Sequence, residues 1–204
     1  MNKSDFTLDV EKIRRQAQVE MNDGAVTDAN TVDRTTLLNL LDGALSTEWV
    51  CALRYSQHAA TAKGIHAEAI ARHFEEHAQQ ELGHAHQLAS RIRQLGGTPH
   101  MDPRHIARTA HSRYRECDSL AEMIKENLFA ERIAILSYTE MVRFVGTEDP
   151  TTRRMLESIL EVEEEHADEL SDLLASFDPR EPLGDRMESP VATKDADVVT
   201  MMNH

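Results

Sequence analysis

From residue 33 onward the apolar side chains return every three or four positions, with Leu37, Leu38, Leu41, Ala44, Leu45 and Ala52 on one stripe. That period predicts a long helix running to Gly64, a residue suited to a helix C-cap. A second helix is predicted from about His66 to Leu95, stopped by the glycines and proline of "GGTP". The stretch "HMDPRHIARTAHSRYRECD" shows no clear core stripe. A link of that length is expected to cross the domain or to hold a short helix, and Pro103 is a fitting start for one. Ser119 with Glu122 reads as a capping box opening a third long helix that ends at Gly146. Asp149 and Pro150 form an N-cap and first-turn pair opening the fourth, which ends near "FDPREP".

The pattern is therefore all-α, with two helical hairpins joined by a long link. Each predicted helix has about 26 to 30 residues, or about 40 to 45 Å. Equal lengths of this kind are what a four-helix bundle requires. Two hairpins with separate partners are the alternative. Residues 1–32 form a polar N-terminal extension, expected to be mobile and to carry a short amphipathic helix over "LDVEKIRRQAQVEM"; residues 33–177 are the bundle. The polar tail, 178–204, is expected to be disordered and lacks the stripe of a fifth packed helix.

Composition narrows the chemistry. Scarce glycine and proline (8 and 6) and 4% aromatics agree with helix. A formal charge of -14 opposes general affinity for nucleic-acid backbones and favours cations. Cys51 and Cys117 are too few for a thiolate metal site, and each reads as a reduced residue of a helix. No apolar run reaches the ~20 residues needed to span a bilayer, so a cytoplasmic protein is expected.

Among the eleven histidines, only His84 and His166 have a glutamate three residues earlier, at Glu81 and Glu163. On a helix, positions i and i+3 share a face, so each motif offers a carboxylate and an imidazole to one point. Folding the hairpins at residues 64–65 and 147 sets Glu48 level with Glu81 and Glu131 level with Glu163, each pair roughly 24 Å from its turn. Tyr55 follows Glu48 by seven residues and Tyr138 follows Glu131 by seven, on their glutamates' faces. They read either as core aromatics or as hydrogen-bond partners of the site carboxylates. Four buried carboxylates require compensation, and two divalent cations with two neutral imidazoles would supply it. The alternative is four exposed acids on separate faces. The ligand set matches the general description of di-iron and di-manganese carboxylate bundles, with one Glu from each of two helices and Glu-x-x-His from each of the other two.

The segments "ALSTEWVCALRYSQHA", "EEHAQQELGHAHQL", "MIKENLFAERIAILSY" and "LEVEEEHADEL" resemble the ferritin-like superfamily over residues 33–176, and most of all the bacterioferritins and bacterioferritin-type miniferritins. The resemblance implies a four-helix bundle with a long crossover between its second and third helices. It also implies that Glu81 and Glu163 bridge two metals, that Glu48 and Glu131 are terminal carboxylates, and that His84 and His166 each bind one metal. Glu81, Glu163, Tyr55 and Tyr138 would then be the residues closest to catalysis, with two Fe ions per subunit, or Mn in their place. Bacterioferritins hold haem through a methionine after the first motif glutamate; Leu82 stands here, so no haem is expected. Without an apolar fifth helix, a Dps-like homo-oligomeric dodecamer is the expected assembly, part of its contacts coming from Trp49 and the crossover.

The implied function is ferroxidase and iron storage or detoxification, oxidising Fe(II) with O2 or H2O2. Manganese catalase-like chemistry and a DNA-protecting interaction protein are the alternatives; rubrerythrin-like peroxidase lacks its C-x-x-C segments. Nucleic acid and membrane are not expected partners. His73 and His77 continue towards Glu81 and read either as a third cation site or ion route, or as structural residues. The remaining histidines, His58, His66, His86, His100, His105, His111 and His204, read as ordinary polar residues.

Overall fold

The computed structural model of the protein describes residues 7–22 and 24–177. The described residues contain six helices and no strand: α1 (Val10–Val19), α2 (Arg34–Thr61), α3 (Ala67–Gln94), α4 (Pro103–Thr109), α5 (Leu120–Val145) and α6 (Pro150–Phe177). The expected disorder of the tail and its lack of a fifth helix concern residues outside this range.

The predicted boundaries have local causes. Asp33 accepts from the Thr36 amide at 2.8 Å and opens α2. Ser119 accepts from the Glu122 amide at 3.3 Å, and the Ser119 hydroxyl donates to the Glu122 carboxylate at 3.1 Å, so the box closes through side chains. Asp149 accepts from the Thr152 amide at 3.0 Å ahead of Pro150. Gly146, at φ 53°, turns the chain between α5 and α6.

The hairpins share one core and are not separate units. Leu41 on α2, Leu88 on α3, Tyr138 on α5 and Leu156 on α6 belong to one buried cluster. Tyr55, Phe74, Ile124 and Leu170 belong to a second. Burying such stripes supplies most of the stability of amphipathic helices of this length. Arg91 on α3 ties α3 to the start of α6, donating to both oxygens of Asp149 at 2.9 and 2.8 Å and to Thr152 at 2.7 Å.

The link between α3 and α5 contains α4, capped by Asp102 with Pro103 at its first turn, as Pro103 suggested. It packs on α2. Beyond α4 the His111 ring lies over Gly43, where a Cβ would meet its Nε2 at 2.8 Å.

Two expectations need correction. Cys117 lies in the extended chain before α5, since the helix begins only at its Ser119 cap. The segment before α2 is not merely polar extension: Val32 is buried in the first core cluster and Val26 packs against it, because α2 begins beside an apolar surface that the preceding chain covers. The expected short helix is present as α1, with none of its residues buried.

Candidate metal centre

The two apolar clusters are separated along the bundle by a layer of charge. Glu48 on α2, Glu81 and His84 on α3, Glu131 on α5, and Glu163 and His166 on α6 are each at most 5% exposed. The equal distance of the glutamates from the two interhelical turns places them at one height.

Their atoms form two overlapping groups. Glu48, Glu81, His84 and Glu163 can direct one atom each to a common point, as can Glu81, Glu131, Glu163 and His166; within each group these atoms lie within 4.8 Å of one another. Glu81 and Glu163 belong to both. His84 Nδ1 lies 2.9 Å from Glu163, 3.3 Å from Glu48 and 3.7 Å from Glu81. His166 Nδ1 lies 3.5 Å from Glu81 and 3.6 Å from Glu163.

These close approaches are not aligned as hydrogen bonds. Among the described residues nine buried side-chain atoms have no hydrogen-bond partner, and seven belong to this set: Glu48 Oε2, Glu81 Oε1, His84 Nδ1, Glu131 Oε2, both Glu163 oxygens and His166 Nδ1. Leaving so many buried polar atoms unpaired would be costly unless a cation completes them. All-oxygen and imidazole donors fit hard or borderline divalent metals.

The charges of this set shift one another in opposite directions. Burial opposes charge on His84, but the carboxylates of Glu163, Glu48 and Glu81 raise it to about 12. His166 is raised in the same way to about 9, by Glu163 and Glu81 against its burial. Burial first, then the Glu81 charge, lifts Glu48 to about 8. Burial, with Glu81 and Glu163, holds Glu131 well above the carboxylate range. Burial also opposes ionisation of Glu81 and Glu163, yet the two imidazoles and the neighbouring protonated carboxyls bring both below their ordinary value. Burial and charge thus favour the ionised form at Glu81 and Glu163, the neutral form at Glu48 and Glu131, and the charged form at both imidazoles.

Both tyrosines bond the site, in a crossed manner. Tyr55 on α2 donates to Glu131 on α5, and Tyr138 on α5 donates to Glu48 on α2, at 2.5 Å in the second case. Burial and the adjacent carboxylate keep both phenols protonated, with Tyr55 facing Glu131 and Tyr138 facing Glu48. Each tyrosine therefore ties the two hairpins together.

Other contacts were not anticipated. His77 stacks on His166 with ring centroids 4.0 Å apart, and its two nitrogens lie 3.2 Å from the Tyr55 hydroxyl and 2.9 Å from Glu169. Burial, then the neighbouring His166, pushes His77 down to about 4. His166 Nε2 meets Gln80 Oε1 at 2.9 Å. A surface opening beside this ring is lined by Glu76, His77, Gln80, Glu165, His166 and Glu169. The spacing of His73 and His77 was the one available signal for it, and His73 Nδ1 does lie 3.8 Å from Glu169.

Below the tyrosines, buried Arg54 donates to Asn127 at 2.8 Å, to Ser112 at 2.9 Å and to the Arg113 carbonyl at 3.2 Å. Asn127 in turn donates to His58 at 3.1 Å, so His58 is a fully buried member of a network and not an ordinary polar residue. His100 and His105 also depart from that reading, since both contact Asp42. Trp49 is half-buried against the first core cluster and meets His86 edge-on, as helical spacing turns it away from Glu48 onto its own bundle.

Comparison with known proteins gives the chain a family. Residues 38–178 match the ferritin-like domain family. The DNA protection during starvation protein of Pyrococcus furiosus is 32% identical over 146 residues, covering 70% of this chain and 79% of that one. A dodecameric thioferritin, the bacterioferritin-related protein of Bacteroides fragilis, superimposes with a TM-score of 0.69 at 30% identity, over 82% of this chain and 94% of its own. A ferritin-like, diiron-carboxylate protein of Bacillus anthracis gives 0.62 at 29% identity, covering 70% and 97%. Among the described residues no helix is long and apolar enough to cross a membrane.

Proposed function

Because the chain belongs to the ferritin-like domain family, we propose that it is a ferroxidase that stores or detoxifies iron. The observation that carries this reading is the sharing of Glu81 and Glu163 between two buried ligand groups. Shared carboxylates hold two ions side by side, where one oxidant can take an electron from each. Glu48 and His84 would complete one ion's ligands, and Glu131 and His166 the other's.

Fe(II) and the oxidant are substrates. Two Fe(II) give one electron each, and with two protons these reduce O2 to H2O2 or H2O2 to two waters. Tyr55 and Tyr138 fix the terminal carboxylates by hydrogen bonds and are positioning residues. The opening beside His77 and Glu169 offers Fe(II) a carboxylate-lined way in. Manganese suits the same hard donors.

Assembly into a cage would give the ferric product an enclosed space. Phe129 and Leu136, two turns apart on α5, are 59% and 68% exposed, and Leu53 on α2 is 56% exposed. Apolar side chains left so open fit contacts with further copies of the chain. The bacterioferritin-related protein of Bacteroides fragilis is dodecameric, and we extend that state to this protein, which we place in the cytoplasm.

A DNA-protecting role is the second reading, favoured by the names of the Pyrococcus protein and of the Synechococcus nutrient stress-induced DNA-binding protein. The charge of -14 opposes it. Salt-dependent gel retardation of duplex DNA would reveal such binding.

The central test is anaerobic Fe(II) titration followed by oxygen or peroxide. The wild type should bind two ions per chain and oxidise them rapidly. Glu81→Gln with Glu163→Gln should lose rapid oxidation while keeping the helical circular dichroism. Fewer than one ion per chain at saturation would refute the dinuclear reading.

A further inference from the structure

Away from the central layer, a second set of metal-binding side chains meets where the crossover touches α2. Asp42 lies six residues before Glu48, roughly 9 Å along the helix. His100 comes from the chain after α3, and His105 from the first turn of α4. His100 Nδ1 is 3.0 Å from Asp42 Oδ1, and His105 Nε2 is 2.5 Å from Asp42 Oδ2. The His100 amide also donates to Oδ1, at 3.3 Å. The two rings are tilted by 43° with centroids 4.8 Å apart. One nitrogen of each ring and one carboxylate oxygen all lie within 4.8 Å of one another.

We infer that Asp42, His100 and His105 form a mononuclear site for a divalent transition-metal ion that fastens the crossover to α2. An ion bound at about 2.0 to 2.2 Å holds its ligand atoms roughly 3 to 3.5 Å apart; His100 Nδ1 already lies at such a distance from Asp42, and a small outward turn of the His105 ring from its 2.5 Å contact would admit the ion. Two imidazoles and one carboxylate, with the remaining positions open to water, suit Zn(II) or Fe(II). The Asp42, His100 and His105 side chains are 16%, 57% and 21% exposed, so an ion can reach them from solvent.

The competing groups do not close the site. Arg104 is engaged by Asp102 at 3.1 Å. Arg108 donates to the far nitrogen of His105, Nδ1, at 3.4 Å, which leaves Nε2 facing Asp42. Metal binding at Nε2 moves the ring proton to Nδ1, and the exposed Arg108 side chain gives way.

Such an ion has structural work to do. A seven-residue helix is too short to be stable alone, and α4 depends on its packing against α2, which includes Ser46 with Thr109 at 2.8 Å. Chelation from three separate elements would hold the start of α4 on α2 and stabilise the native crossover by mass action. The central centre uses none of these residues, so the two sites can be tested apart.

The experiment uses full-length metal-free protein and Zn(II) as the probe, with bound ion measured by equilibrium dialysis. Amide hydrogen exchange of residues 99–109 is followed with and without Zn(II). His100→Ala alone, at an exposed position that cannot threaten the fold, and Asp42→Asn should each bind one Zn(II) fewer per chain than their parent. Zinc should slow exchange over 99–109 in the parent and leave it unchanged in the variants. The variant Glu81→Gln with Glu163→Gln should lose the central ions and keep the zinc-dependent protection, which makes the failure of either assignment visible separately. Equal zinc stoichiometry in parent and His100→Ala, or protection of 99–109 that does not depend on zinc, would show that the cluster is only a pair of histidine–aspartate hydrogen bonds.

Discussion

The Tyr138 hydroxyl on α5 donates a 2.5 Å hydrogen bond to Glu48 on α2, across the hairpins and not to the glutamate on its own helix. The bond holds one Glu48 oxygen and leaves Oε2 without a partner and directed at the ligand group. Tyr138→Phe should therefore loosen the ligand while preserving the aromatic core. Partners of metal ligands typically matter by about 10- to 100-fold in metal affinity or activity. Stopped-flow absorbance should show Fe(II) oxidation slowed within that range in Tyr138→Phe and in Tyr55→Phe. An unchanged rate in both would reduce the tyrosines to packing residues.

Metal uptake should release protons. Near neutral pH His84 and His166, at about 12 and 9, are protonated, and Glu48, at about 8, and Glu131 are mostly so. Two divalent ions must displace these, so about four protons should leave per pair of ions, measurable by indicator dye during anaerobic titration. Affinity should rise with pH between about 6 and 9.

The metal-free protein should respond in the opposite sense. Folded-state values raised above the unfolded ones mean that His84 and His166 contribute stability that is full below about 6.5 and is lost as pH rises towards 9 and beyond. The raised Glu48 acts in the same direction from about 4.5 to 8. Thermal melts should give a lower midpoint at pH 9 than at pH 7 without metal, and metal should remove most of the difference. A metal-free midpoint that climbs over this interval would contradict the assigned protonation states.

Arg54 should be the most sensitive single residue outside the ligand set. Arg54→Met removes a buried donor and leaves Asn127 Oδ1 and the Arg113 carbonyl without it. A loss of roughly 3 kcal/mol is expected in urea unfolding. Hydrogen exchange should rise over 110–119, the segment Arg54 holds.

Assembly can be tested at the exposed α5 face. The wild type should scatter as a particle of about 280 kDa, twelve copies of a 23.0 kDa chain. Phe129→Glu with Leu136→Glu, at positions outside both core clusters, should yield smaller species with unchanged helical content. A wild-type monomer or dimer at micromolar concentration would overturn the dodecamer.

The sequence by itself determined the long helices, their caps and the height at which the candidate ligands lie. These are local or nearly local matters: the apolar period sets the helices, Asp33, Ser119 and Asp149 set their starts, and counting back from two turns aligns Glu48 with Glu81 and Glu131 with Glu163. Which hairpin each side chain serves depends on how the hairpins pack, and only the tertiary structure decided it. Tyr55 and Tyr138 lie on their own glutamates' helices in the sequence, yet the packing of α2 against α5 crosses their bonds. His77 differs from its neighbours because α2 brings Tyr55 and α6 brings His166 and Glu169 against it. Asp42, His100 and His105, separated by 58 and 63 positions, share no local pattern; they meet because the crossover folds back onto α2. Periodicity encodes which face of a helix is buried, but contacts between distant segments follow from how those faces pack.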